Sequence, residues 1–200
     1  MTIAIDYYFS PQSPWTYLGH VRFTELAQRA GASVRLVPAD FGKVFAVSGG
    51  LPLGQRAPQR QAYRLVELQR YSQHLQVPLH VKPAFFPVAG DDAARLIIAV
   101  DLHQGSPAAL RLSGAIFKAV WAEQRNIADS AVLAQLLGEQ GLSEEALAQS
   151  RSPAVQQRYE ANTQEAIDRA VFGAPSYVID GEIFWGQDRL DFVERRLAAA

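Results

Sequence analysis

A chain of 200 residues with 48% hydrophobic and 20% charged content has the composition of an ordinary globular protein, between one large domain and two small ones. Its 19 Lys and Arg against 20 Asp and Glu leave no net field to recruit a nucleic acid or an anionic membrane surface. The complete lack of cysteine excludes disulfides, thiolate metal sites, a cysteine nucleophile and intrinsic dithiol redox chemistry.

From the start, Ile3, Ile5, Tyr7 and Phe9 alternate with Ala4, Asp6 and Tyr8, which predicts a strand over about residues 2–9. This opening has neither the basic region nor the apolar run of a signal peptide. Nor does any stretch of the chain have the apolar length of a membrane span, so a cytoplasmic location is expected. Ser10-Pro11-Gln12 breaks the strand. From Pro14 the pattern is helical, with Leu18, Val21, Leu26 and Ala30 near one face and Gly31 as the stop. Ser33 to Val37 reads as a second strand, parallel to the first across a normal crossover.

Residues 48–58 are rich in Gly and Pro and read as a loop or boundary. Helical patterns then fill residues 58–75, 91–103, 107–124, 130–137, 143–148 and 153–171. The 107–124 segment is apolar almost all round, which predicts deep burial. Strand character returns at Pro175–Ile179. Asp180-Gly181 is the strongest hairpin signal in the chain, and Glu182–Trp185 is the returning strand. Gly186-Gln187-Asp188 opens a last helix through Phe192 and Leu197. The order βαβ, helices, ββα predicts an α/β fold: one mixed sheet from residues 1–57 and 171–200, with a helical insertion over 58–170. The helices then cap the C-terminal edge of the sheet, where open α/β sheets place ligands.

Ser13-Pro14-Trp15-Thr16 lies where the first strand turns into the first helix. Its plain reading is a standard helix start, with Ser as N-cap and Pro at the first helical position. The chemical reading uses the same geometry: a hydroxyl beside unpaired N–H groups can hydrogen-bond an anion, and those dipoles lower the pKa of a bound thiol. Ala174-Pro175 reads either as a strand start or as a cis peptide that leaves the Ala174 backbone free for an extended ligand. Gln187-Asp188 reads either as a helix cap or as a site for an amino-acid α-end. Arg56 and Arg60 could fork a carboxylate. Trp15 could wall an aromatic substrate. The four histidines never pair at ligand spacing, so no metal site is expected. No phosphate loop, dinucleotide fingerprint or nucleophile elbow is present.

The run Asp6-Tyr7-Tyr8-Phe9-Ser10-Pro11-Gln12-Ser13-Pro14-Trp15-Thr16-Tyr17-Leu18-Gly19 resembles the opening of 2-hydroxychromene-2-carboxylate isomerases and kappa-class glutathione transferases. Val171-Phe172-Gly173-Ala174-Pro175-Ser176 and Trp185-Gly186-Gln187-Asp188-Arg189-Leu190 resemble their C-terminal signature, and the likeness runs end to end. It implies a DsbA-like thioredoxin fold with a large all-helical insertion, a homodimer, glutathione as cofactor and a small aromatic or electrophilic substrate. By the same resemblance Ser13 favours the glutathione thiolate, Ala174 beside a cis Pro175 pairs with its cysteinyl backbone, and Gln187 and Asp188 hold its γ-glutamyl end. Arg60 stands where relatives have a lysine for the glycyl carboxylate. The loop Ser48-Gly49-Gly50-Leu51 lacks the asparagine of relatives, and Gln12 replaces an apolar residue common in the isomerases. The implied activity is isomerisation by reversible thiolate addition. A kappa-like transferase and a non-catalytic thioredoxin-like binding protein are the alternatives.

Overall fold

Strand β1 (Ala4–Phe9) forms because its alternating residues have two faces to fill. Ile5, Tyr7 and Phe9 enter the main core, whereas Tyr8 faces a second cluster with Val37, Phe41, Val44, Ala166 and Val178. The computed structural model describes residues 3–199. Helix α1 (Pro14–Arg29) follows β1 and leads to β2 (Ser33–Pro38), which pairs parallel with β1 from Ala4–Ser33 to Phe9–Pro38. Helices α2 (Phe41–Ser48), α3 (Pro58–Leu75), α4 (Asp91–Gln104), α5 (Ser106–Trp121), α6 (Ser130–Glu139), α7 (Glu145–Gln149) and α8 (Pro153–Asp168) come next. Strands β3 (Ser176–Ile179) and β4 (Glu182–Trp185) and helix α9 (Leu190–Ala198) close the chain.

The sheet order is β2-β1-β3-β4, with β3 antiparallel to both neighbours. The β3–β4 turn is fixed by Asp180 and Gly181, at φ 50° and 84°. Two successive left-handed residues match the twist of a tight hairpin. The burial expected of the 107–124 segment is present: Leu112, Ile116, Phe117, Val120 and Trp121 of α5 are inaccessible.

Three expectations are corrected. Helix α2 stands where no element is expected; Asp40 caps it by accepting the Gly42 and Lys43 N–H groups, and Gly49 ends it at φ 77°. Val21 is 61% exposed and Phe23 takes the inward place on α1. Helices α5 and α8 stop at Trp121 and Asp168, before Gln124 and Ala170, whose φ values of 53° and 57° are incompatible with continued helix.

Helix α8 is fastened across the sheet by charge. Arg35 on β2 donates to Asp6 on β1 at 2.7 Å and to Glu165 on α8 at 2.8 and 2.5 Å. Tyr8 donates to the same carboxylate at 3.0 Å. Hydrogen bonds from Arg35, foremost, hold the Glu165 carboxyl down to about 2. No helix among the described residues is long and apolar enough to cross a membrane.

Candidate active site at the first strand-to-helix turn

Ser13 occupies the N-cap of α1 at φ −75°, ψ 120°. Its Oγ accepts the Thr16 N–H at 3.2 Å and its carbonyl accepts the Tyr17 N–H at 3.0 Å. Pro14 has no N–H to satisfy, and the Trp15 N–H has no partner among the described residues. The half-buried hydroxyl thus sits at the positive end of a helix of 16 residues with a spare donor beside it. The capping reading and the chemical reading of Ser13 therefore describe one geometry.

Pairing of β1 with β3 brings the Ala174–Pro175 peptide, which is cis, up to this turn. Ser13 Oγ lies 3.5 Å from the Ala174 carbonyl oxygen, at the limit of a hydrogen bond donated by the serine. The Ala174 N–H has no partner among the described residues, so an edge of backbone next to Ser13 remains available. Beyond β4, Gly186 donates to the Pro175 carbonyl at 2.9 Å and, at φ 106°, starts a single 3-10 turn, Gln187–Arg189.

In that turn Asp188 is exposed and meets Arg189 at 2.6 Å. Gln187 turns inward: the residue is 2% exposed, and its side chain lies against Gly19 of α1 with no hydrogen-bond partner for either amide atom. Gly19 is required for this approach, since a Cβ there would stand 2.7 Å from Gln187 Cβ and 3.1 Å from Tyr177 Oη. Gly19→Ala is expected to push α1 off the 3-10 turn and cost about 1–3 kcal/mol, the usual range for overpacking. Chemical denaturation reads the loss, and unchanged stability would mean that the turn shifts freely.

Helix α3 forms the facing wall. Trp15 meets Tyr71 edge-on at 5.9 Å, and the Tyr71 hydroxyl is raised by burial and by the nearby Asp188 charge. Arg60 is exposed, and Arg56 donates to the Leu51 carbonyl at 2.8 Å. Gln12, read only as a departure from relatives, is a clasp. Its Oε1 accepts the Val88 N–H at 3.2 Å and its carbonyl accepts the Trp121 indole N–H at 3.3 Å. Tyr17 donates to the Pro78 carbonyl at 2.6 Å. These bonds tie the helical segment to the serine turn.

Sequence reasoning missed Arg64. Its position is visible in the stripe 64, 68, 71, 75 on α3, which also carries buried Leu68 and the packed Tyr71 and Leu75.

A four-stranded mixed sheet, a helix start after β1 and a cis-proline beside it define a thioredoxin-type protein, here with serine at the turn and no sulfur partner. The chain belongs to the DSBA-like thioredoxin domain family, whose model matches residues 4–198. It is 32% identical over 199 residues to the 2-hydroxychromene-2-carboxylate isomerase of Sphingobium xenophagum, covering 98% of this chain and 99% of that protein. It is 24% identical to glutathione S-transferase kappa 1 of Caenorhabditis elegans, over 94% of this chain and 88% of that one. A solved 2-hydroxychromene-2-carboxylate isomerase superimposes with a TM-score of 0.83 at 28% identity, covering 98% and 95% of the two chains. The chain is therefore an enzyme of the group that unites these isomerases with the kappa transferases.

Proposed function

We propose that the chain is a glutathione-dependent isomerase acting on 2-hydroxychromene-2-carboxylate or a near relative, with Ser13 as the thiolate-stabilising residue. The observation that carries this reading is the half-buried Ser13 hydroxyl at the N-terminus of α1, flanked by the unpaired N–H groups of Trp15 and Ala174. Those groups fit a peptide-like thiol: Ala174 offers an extended backbone edge, and the turn offers donors to a sulfur anion. Bound glutathione would supply a thiolate for reversible addition to a conjugated alkene, which would allow rotation about the resulting single bond before elimination restores the alkene and the thiolate.

The chain's own contribution is electrostatic and positional. Ser13 donates its hydroxyl proton to the sulfur without ionising. The helix N-terminus favours the anion over the thiol. Trp15, braced by Tyr71, walls the site against water. Asp188 at the 3-10 turn faces the ammonium of the γ-glutamyl end, with the Gln187 backbone beside it, and Arg60 takes the glycyl carboxylate. A kappa-like transferase is favoured by the likeness to kappa transferases and differs only in keeping the adduct.

The test is a glutathione titration of wild type and Ser13→Ala from about pH 5.5 to 9, following thiolate absorbance near 240 nm. Wild type is expected to lower the bound thiol by at least about one pH unit, and Ser13→Ala to lose most of that shift. Wild type that binds no glutathione at millimolar concentration overturns the reading. Product analysis with the chromene carboxylate and with halogenated aromatic electrophiles then separates isomerase from transferase.

A further inference from the structure

The inward stripe of α3 carries a guanidinium where its neighbours carry apolar groups. Arg64 is half-buried, with its Cζ 5.1 Å from the Phe86 ring centroid and 5.8 Å from that of Trp121. The two rings pack 4.7 Å apart at 49°, making one aromatic platform. Trp121 is itself hydrogen-bonded to the carbonyl of Gln12, the residue before Ser13. Arg64 is thus one aromatic ring away from the serine turn.

Among the described residues Arg64 has neither an ion pair nor a hydrogen bond. The other half-buried arginines differ: Arg22, Arg35, Arg95, Arg125 and Arg196 each meet a carboxylate, and Arg56 meets the Leu51 carbonyl. Removing a guanidinium from water without a counter-ion is unfavourable, and stacking on aromatic faces offsets only part of that. Burial, with the Arg56 charge second, lowers its pKa to about 10, so it stays cationic at neutral pH. Its five N–H donors form a planar fork matched to a carboxylate, and the partly exposed Phe86 ring, backed by buried Trp121, offers an apolar surface for the ring that carries one.

We propose that Arg64 binds the carboxylate of the aromatic substrate and selects for anionic aryl or arylvinyl acids, an assignment that rests on the glutathione-dependent reading for its place in the reaction. Arg60, exposed and one turn earlier on the same helix, keeps the glycyl carboxylate of glutathione.

Wild type, Arg64→Gln and Arg64→Lys would be compared in two assays. The first follows quenching of indole fluorescence by salicylate and by neutral salicylamide, without glutathione. Wild type is expected to prefer salicylate, Arg64→Gln to weaken salicylate by about ten- to a hundredfold, and Arg64→Lys to recover part of the loss. Salicylamide is expected to be indifferent to both changes. The second assay measures glutathione affinity, expected within about twofold of wild type in both variants, and KM for the chromene carboxylate, expected to rise with Arg64→Gln by the salicylate factor. Equal binding of salicylate and salicylamide by wild type overturns the proposal. So does a parallel loss of glutathione affinity, which would assign Arg64 to the glycyl carboxylate. Failure of wild type to bind glutathione overturns the isomerase reading instead, and the fluorescence assay still decides Arg64.

Discussion

Wild-type protein is expected to lose roughly 2–3 kcal/mol of stability between pH 7.5 and pH 4.5 through His20 alone, and His20→Gln to remove that loss. His20 is 5% exposed between α1 and α5. Its Nδ1 lies 3.2 Å from the Tyr7 hydroxyl and its Nε2 3.1 Å from the Leu110 carbonyl oxygen. A carbonyl only accepts, so Nε2 carries the proton and Nδ1 accepts from Tyr7. Burial pushes the imidazolium pKa from 6.5 down to about 4. The unfolded chain then takes up a proton near pH 6.5 that the folded chain refuses until about pH 4. Stability is complete above 6.5 and falls by about 1.4 kcal/mol per pH unit within that window. Glu165 also has a depressed value, about 2 against 4.5, so its contribution is present above 4.5 and is lost below it. Urea unfolding at the two pH values separates the groups. Glutamine can donate to Leu110 and accept from Tyr7 but takes up no proton in this range, so the variant still folds and is flatter towards acid. Equal losses in both proteins would show that His20 is reached by protons without unfolding.

How much of this was legible beforehand depended on the range of the interaction that decided each feature. The terminal strands and the hairpin were readable because alternation in residues 3–9 and Asp180-Gly181 are local signals with local causes. Helix α2 has equally local caps, Asp40 and Gly49, but only eight residues and one buried face, so its period is weak beside the glycines that follow. The chemical pairing of Ser13 with Ala174 joins residues 161 positions apart and exists only because β1 pairs with β3. The roles of Gln187, Asp188 and Arg60 came from resemblance. Their packing shows something the resemblance did not carry: the Gln187 amide is buried without a hydrogen-bond partner, and Asp188 is the exposed member of the pair. Arg64 escaped because its meaning lies in Phe86 and Trp121, which contribute nothing recognisable until the helices pack.

Ser13→Cys should give the protein a single thiol whose pKa falls from the ordinary value of about 8.5 to about 7 or below. Three effects act on that sulfur. Partial burial raises its pKa, while the dipole of the 16-residue α1 and the donors of Trp15 and Thr16 lower it. The Thr16 N–H lies within hydrogen-bond reach and the position is only half-buried, so the lowering effects prevail. Because the natural sequence contains no cysteine, the alkylation rate with iodoacetamide as a function of pH reports this thiol alone. Ser48→Cys supplies the control: it places an exposed thiol at the last position of α2, where carbonyls and the negative end of the dipole disfavour a thiolate. A thiol pKa in Ser13→Cys below that in Ser48→Cys by at least about one unit, a tenfold larger ionisation constant, would demonstrate the anion-stabilising field without glutathione present. A pKa in Ser13→Cys at or above that of the control would mean that burial outweighs the helix. The serine would then be a cap and nothing more, and the thiolate chemistry would lose its physical basis.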